Sequence, residues 1–172
     1  VGVALEALDL GLGQTVLDFG AGSCWLSGIL NRLGTRTVSM DISPTALALG
    51  QEALRSDPRA RPELEPRFLL YDGHRLPLPD DSLDRAVCFD SFHHVPNRDE
   101  VLREVFRVLK PGGRFVLAEP GEGHANAGHS RFDAEHYGVL ESDLPFPDLL
   151  ARGYRAGFQR ALAKPYPDPK AL

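Results

Sequence analysis

Short apolar runs alternate along the chain with longer stretches in which apolar residues recur every three or four positions. A run of four to six mostly apolar residues suits a strand covered on both faces, whereas the wider spacing lays an apolar stripe along one side of a helix. Strands are predicted at Thr15 to Phe19, Arg36 to Met40, Arg67 to Leu70, Arg85 to Phe89 and Arg114 to Ala118, with helices around Trp25 to Leu33, Pro44 to Arg55 and Arg98 to Val108. Val1, Leu5 and Leu8 mark an opening helix, and Ser43 reads as an N-cap ahead of Pro44 at the first helical position. Strands and helices in alternation predict a doubly wound α/β domain with a mainly parallel sheet and helices on both faces. Right-handed crossovers then bring the strand C-termini to one edge, where ligands of such folds bind.

Proline and charge mark loops at Arg55 to Pro66 and Leu76 to Asp81. From Pro120 to Pro147 no steady period is visible, and residues 121–150 are expected to form an acceptor-side loop or lid. Phe158 to Ala163 is a candidate sixth strand, while Lys164 to Leu172 is too short and too punctuated by proline for a seventh. The sheet edge is therefore expected to be incomplete, covered by a flanking region of chain or by a second copy in a homodimer. Because Val1 already sits in helical register, the numbering is expected to begin inside a longer chain.

At 172 residues, 42% hydrophobic and 25% charged, the chain suits a single domain spanning 1–172. Its net charge of -5 and pI near 5.7 lack the broad positive field that grips phosphate backbones, so nucleic acid is not expected as a partner. Cys24 and Cys88 have no ligand-type spacing, which indicates neither a disulfide framework nor a zinc site. No apolar run approaches the roughly 20 residues of a membrane span, and no basic start precedes an apolar stretch. A soluble, cytoplasmic protein without a membrane partner is expected.

The strongest local signal is Val16-Leu17-Asp18-Phe19-Gly20-Ala21-Gly22-Ser23-Cys24-Trp25, a strand running through a glycine turn into a helix. Gly20 and Gly22 allow a tight turn and close approach of a nucleotide-like ligand, although a purely structural turn would use the same residues. A dinucleotide site wants a third glycine where the helix begins, and here Cys24 and Trp25 crowd that place. Asp18 would oppose a pyrophosphate but suit a ligand carrying an ammonium and a sulfonium, so both features favour S-adenosylmethionine over NAD. Asp41 ends the second strand about twenty residues beyond the turn, where a carboxylate accepts hydrogen bonds from both hydroxyls of a ribose; the alternative is a helix-flanking Asp before Ser43. Asp72 and Gly73 follow the third strand, either at the edge of an adenine ring or as a simple Asp-Gly turn.

Four blocks in this order, VLDFGAG, VSMDIS, YDGHRLPLPDDSLD and LKPGGRFVLAEP, resemble the class I S-adenosylmethionine-dependent methyltransferases, in the branch that includes many small-molecule and glycan-pathway enzymes. The likeness runs to about Pro120 and implies a Rossmann-like fold. It further implies that Asp18, Phe19, Gly20, Ala21 and Gly22 hold the methionine end of the cofactor, that Asp41 with Ile42 beside it binds the ribose, and that Asp72 and Gly73 meet the adenine. By the same likeness Phe89 and Asp90 line the floor. Cys24 replaces the family's usual third glycine, which is expected to narrow the loop. Lys110-Pro111-Gly112-Gly113 reads as a tight helix-to-strand connection without chemistry.

Methyl transfer from a sulfonium is an in-line displacement in which alignment supplies most of the acceleration, and no metal is required. An oxygen acceptor would benefit from a base, and the candidates are His93, His124 and Glu119 at the expected edge, with one of His93 and His94 facing inward. The polar residues of Gly121 to Tyr137 point to a small-molecule or sugar-containing acceptor. The alternatives are a methyltransferase-like binding module without turnover and a nicotinamide-dependent oxidoreductase, whose Tyr-Lys pair is not visible.

Overall fold

The computed structural model describes residues 1–164. Five parallel strands form one sheet in the order β3-β2-β1-β4-β5, comprising β1 (Thr15–Phe19), β2 (Arg36–Asp41), β3 (Arg67–Leu70), β4 (Leu83–Phe89) and β5 (Leu109–Ala118). Chain direction reverses its spread between β1 and β4, so the carboxyl ends of these two strands flank the switch point of the sheet. The helices are α1 (Gly2–Leu8), α2 (Trp25–Arg32), α3 (Pro44–Ser56), α4 (Arg98–Val108), α5 (Gly128–Tyr137) and α6 (Phe146–Ala156).

Strand side chains alternate between two cores, as the period of two demands. Val16 of β1 and Val87 of β4 meet Leu8, Leu26 and Leu30 of α1 and α2 on one face. Leu17, Ala86 and Cys88 turn the other way, onto Phe92 and the α4 stripe of Val101, Leu102, Val105 and Val108. Ser43 caps α3 by accepting the Ala46 N–H at 3.2 Å, with Pro44 at the first helical position as expected.

Three expectations change. Lys110 to Gly113 is not only a connection: β5 begins at Leu109, and its register against β4 jumps from Leu83↔Leu109 to Arg85↔Arg114, so the proline-glycine run bulges out of the ladder. The segment read as irregular contains α5 and the start of α6; of α5 only Ser130 is buried, so no apolar stripe betrays the helix in the sequence. Phe158 to Ala163 is not a strand. Gly157 ends α6 with φ of 117°, and Phe158 then packs edge-on to Phe106 and stacks by Phe115 at ring distances of 5.2 and 6.3 Å, so its side chain is spent on packing beside α4 and β5. The expectation that Lys164 to Leu172 forms no seventh strand falls, beyond Lys164, outside the described residues. No described helix is long and apolar enough to cross a membrane.

Candidate active site

A cleft of about 400 Å³ opens at the switch point. Its walls are the loop Gly20 to Ser23, Trp25 at the start of α2, Asp41 at the end of β2, and Phe89, Asp90 and Ser91 after β4. The glycines do different work. Gly20 has φ of +70°, and a Cβ there would stand 2.1 Å from Ser91 Oγ, so the absent side chain is what lets the loop close on the post-β4 turn. Gly22 has φ of +51° and faces open space: a Cβ would meet nothing within 4 Å. Trp25 is 46% exposed and braces its ring edge-on against Phe89 at 5.2 Å, making an aromatic wall that invites a stacking partner.

Asp41 ties the two strands' loops together. One carboxylate oxygen accepts the Gly22 N–H at 2.7 Å and the other the Ser43 N–H at 2.8 Å. Each oxygen keeps a lone pair for a ligand at the rim, and the side chain is already oriented. Ile42 beside it is exposed.

Asp18 lies elsewhere than the sequence suggests. Its carboxylate is 2% exposed and does not line the cleft; it accepts from Ser27 Oγ at 2.6 Å, which in turn accepts from Ser39 Oγ at 2.7 Å. Burial, only partly offset by the Ser27 hydrogen bonds and helped by the nearby Asp41 charge, pushes its pKa up to about 6. The folded state therefore holds a proton that the unfolded chain has already released between the ordinary carboxylate pKa and about 6, and stability falls as pH rises through that window. Urea denaturation should show the chain gaining about 2 kcal/mol on going from pH 7 to 4.5 relative to an Asp18→Asn variant, since each pKa unit is worth about 1.4 kcal/mol. Parallel pH profiles for the two proteins would contradict the assignment.

Cys24 does not narrow the cleft. It takes a left-handed conformation at φ of 60° and turns its thiol under the loop, against α3, where a Cβ on Gly50 would come within 2.4 Å of the sulfur. Burial raises its pKa to about 11, so the thiol is protonated and inert at neutral pH. Asp72 and Gly73 stand apart from the cleft lining. The exposed Asp72 carboxylate accepts the N–H groups of His74 and Arg75 at 2.9 and 3.1 Å, shaping its own turn, and Gly73 holds φ of +89°.

Behind the cleft wall lies a buried ionisable cluster. Glu119, at the end of β5, accepts the N–H groups of Ser91 and Phe92 at 3.0 and 2.8 Å and the His93 Nδ1–H at 2.8 Å. His93 is 3% exposed and is the inward member of the histidine pair; His94 lies nearer the surface. Burial pulls the His93 pKa down, but the Glu119 and Glu141 carboxylates outweigh it and hold the imidazole above its ordinary range. Glu141 receives His124 Nε2 at 2.9 Å and faces His93 Nε2 at 3.7 Å. The structure thus brings His93, Glu119 and His124 together, and adds Glu141 and Ser91, which the sequence reading missed. Nothing near Glu141 in the chain signals its role, because only the return of residues 140–143 onto the post-β4 turn places it; Ser142 Oγ donates to the His93 carbonyl there.

Residues 17–117 match the family described as Methyltransferase domain. A methyltransferase of Streptomyces halstedii, GfsG, is 38% identical over 120 residues, 66% of this chain and 40% of that protein. The demethylmenaquinone methyltransferase of Paenarthrobacter aurescens is 33% identical over 117 residues, 68% of this chain and 43% of its own length. The chain thus spans less than half the length of these two curated relatives. A Mesorhizobium loti S-adenosylmethionine-dependent methyltransferase superposes with a TM-score of 0.75 over 90% of this chain and 79% of that one; at 23% identity the likeness is one of fold. The glycine loop, Asp41 and the post-β4 residues that line the cleft all lie within the matched segment, and the chain belongs to the class I S-adenosylmethionine-dependent methyltransferase family.

Proposed function

We propose that this protein transfers the methyl group of S-adenosylmethionine to a small-molecule or sugar-containing acceptor. The observation that carries the reading is the charge of the cleft: among the described residues its lining has two carboxylates, Asp41 and Asp90, and neither Lys nor Arg. Such a wall disfavours a pyrophosphate and suits a cationic, phosphate-free nucleoside. In this reading Gly20 to Gly22 lie against the methionine end, and Asp18, from beneath, holds the loop through Phe19 and Ser27. Asp41, with Ile42 beside it, receives the ribose hydroxyls, Asp72 and Gly73 lie toward the adenine, and Phe89 and Asp90 form the floor. The bound cofactor would supply an electrophilic methyl, and the protein's part is to align it with the acceptor and exclude water.

For a hydroxyl acceptor, His93 with Glu119 is the inner end of a chain whose outer members, His94 and His124, sit with rings 3.9 and 4.6 Å from His93. The acceptor side is then built by residues 121–150. The demethylmenaquinone methyltransferase relative is named for a small-molecule acceptor, which supports that class. Two buried free cysteines support a reducing, cytoplasmic setting. The outer edge of β5 pairs with no strand among the described residues, and a second copy or a flanking segment would pair there.

Isothermal titration with S-adenosylmethionine, S-adenosylhomocysteine and NAD tests the cofactor. Binding of the first two and not the third is expected; preference for NAD would overturn the reading. A methylation assay on a panel of hydroxylated metabolites then separates an enzyme from a binding module.

A further inference from the structure

The buried cluster behind the cleft wall has chemistry beyond the proton chain proposed for a hydroxyl acceptor. Glu141 and Glu119 have side chains only 6% and 5% exposed, and among the described residues every direct ion-pair partner of either is a histidine: His93, His94 and His124 around Glu141, His93 beside Glu119. Arg98 acts on Glu119 only from a distance, so these two buried carboxylates have no cation in direct contact except imidazolium, and an under-compensated buried charge is costly. Protons on the histidines can serve, but only as far as imidazole holds them.

We propose that His93, His94 and Glu141 form a binding site for one divalent transition-metal ion of the kind that takes mixed nitrogen and oxygen ligands, such as zinc, cobalt or iron(II). One donor atom from each residue lies within 4.8 Å of the others. Glu141 Oε2 is 3.7 Å from His93 Nε2, and Glu141 Oε1 is 3.6 Å from His94 Nδ1. Ligands about 2.0–2.1 Å from a tetrahedral ion stand roughly 3.4 Å apart, so each histidine-to-Glu141 distance is within a few tenths of an ångström of that spacing, and the two histidine donors are at most 4.8 Å apart.

The outer partners are also in place. Glu119 accepts the His93 Nδ1–H at 2.8 Å, which fixes the tautomer and turns the Nε2 lone pair toward Glu141. A carboxylate on the far nitrogen of a ligating histidine is the usual support of such sites. His124 donates its Nε2–H to Glu141 Oε2 at 2.9 Å and orients that carboxylate in the same way. The His94 Nδ1–H is given to the Leu140 carbonyl at 2.7 Å; an ion would displace that proton, and the ring would turn off the carbonyl to meet it. His94 is about one-third exposed and offers the way in. An ion held there would pin the turn after β4 to residues 140–142, behind the cleft and independently of cofactor binding.

The test is a titration of the EDTA-treated, dialysed protein with Co²⁺, read by its visible d–d absorption, followed by displacement with Zn²⁺. One equivalent per chain is expected. Glu141→Gln and, separately, His94→Ala should each weaken binding at least tenfold, and Glu119→Gln by roughly 10–100-fold through loss of the outer support. Circular dichroism checks that each variant is folded, and His94→Ala, at the more exposed ligand, guards against loss of fold at Glu141. Absence of Co²⁺ binding, or binding that survives both Glu141→Gln and His94→Ala and so belongs to exposed histidines such as His74, His129 or His136, would overturn the site. Both readouts are independent of methylation, so failure here leaves the cofactor assignment to its own titration.

Discussion

Replacing Asp41 with alanine should lower affinity for S-adenosylmethionine by roughly two to four orders of magnitude while the chain stays folded. Two charge-assisted hydrogen bonds to ribose hydroxyls are worth roughly 1.5–3 kcal/mol each. Losing both removes about 3–6 kcal/mol, and about 1.4 kcal/mol is a tenfold change in binding. The same carboxylate also accepts the Gly22 and Ser43 N–H groups, so its loss frees the glycine loop and adds an ordering cost on binding. Asp41→Asn separates the two contributions. Asn keeps one acceptor but presents an NH₂ group to either the Gly22 or the Ser43 N–H, so it should behave more like Ala than like Asp. Calorimetry gives the affinities and thermal melting the fold. Asp41→Ala binding within a few-fold of the parent protein's affinity would exclude Asp41 as the ribose residue.

The second large effect is expected at Gly20. Alanine there takes a left-handed conformation at a cost of about 1–2 kcal/mol and drives its methyl into the Ser91 side chain, where overpacking adds about 1–3 kcal/mol. Gly20→Ala should therefore cost about 3 kcal/mol of unfolding free energy and abolish measurable cofactor binding, because the loop can relieve the clash only by moving into the cleft. Ser91→Gly removes the two atoms nearest that methyl; the next neighbour, Cys88 Sγ, lies at 3.9 Å. The double variant should recover the packing part of the loss but not the backbone part. Denaturant titration of the two single variants and the double variant measures that coupling. Additive losses would mean that loop and turn do not meet as described.

The site and its surroundings differ in how plainly the chain announces them. The strand-turn-helix segment from Val16 to Trp25 and the strand-end Asp41 are local features, because a glycine that must take positive φ and a carboxylate at the end of a buried run are determined within a few residues. Asp18 was visible as a carboxylate beside the turn but not as a buried one. Its side-chain direction follows from the packing of α2 and β2, which bring Ser27 and Ser39 to it. Cys24 is the same case: the missing third glycine is plain in the sequence, yet whether its side chain fills the cleft depends on Gly50, twenty-six positions later, leaving room beneath the loop.

Periodicity and glycine placement, which act over neighbouring residues, determined the five strands, the glycine turn after β1 and the strand-end position of Asp41 from the sequence by itself. Only the tertiary structure decided that α5 is helical, that Phe158 to Ala163 leaves the sheet, and that Glu119 and Glu141 enclose His93. Those features rest on contacts between segments far apart in the chain, where burial and charge compensation outweigh local preference and leave no periodic trace.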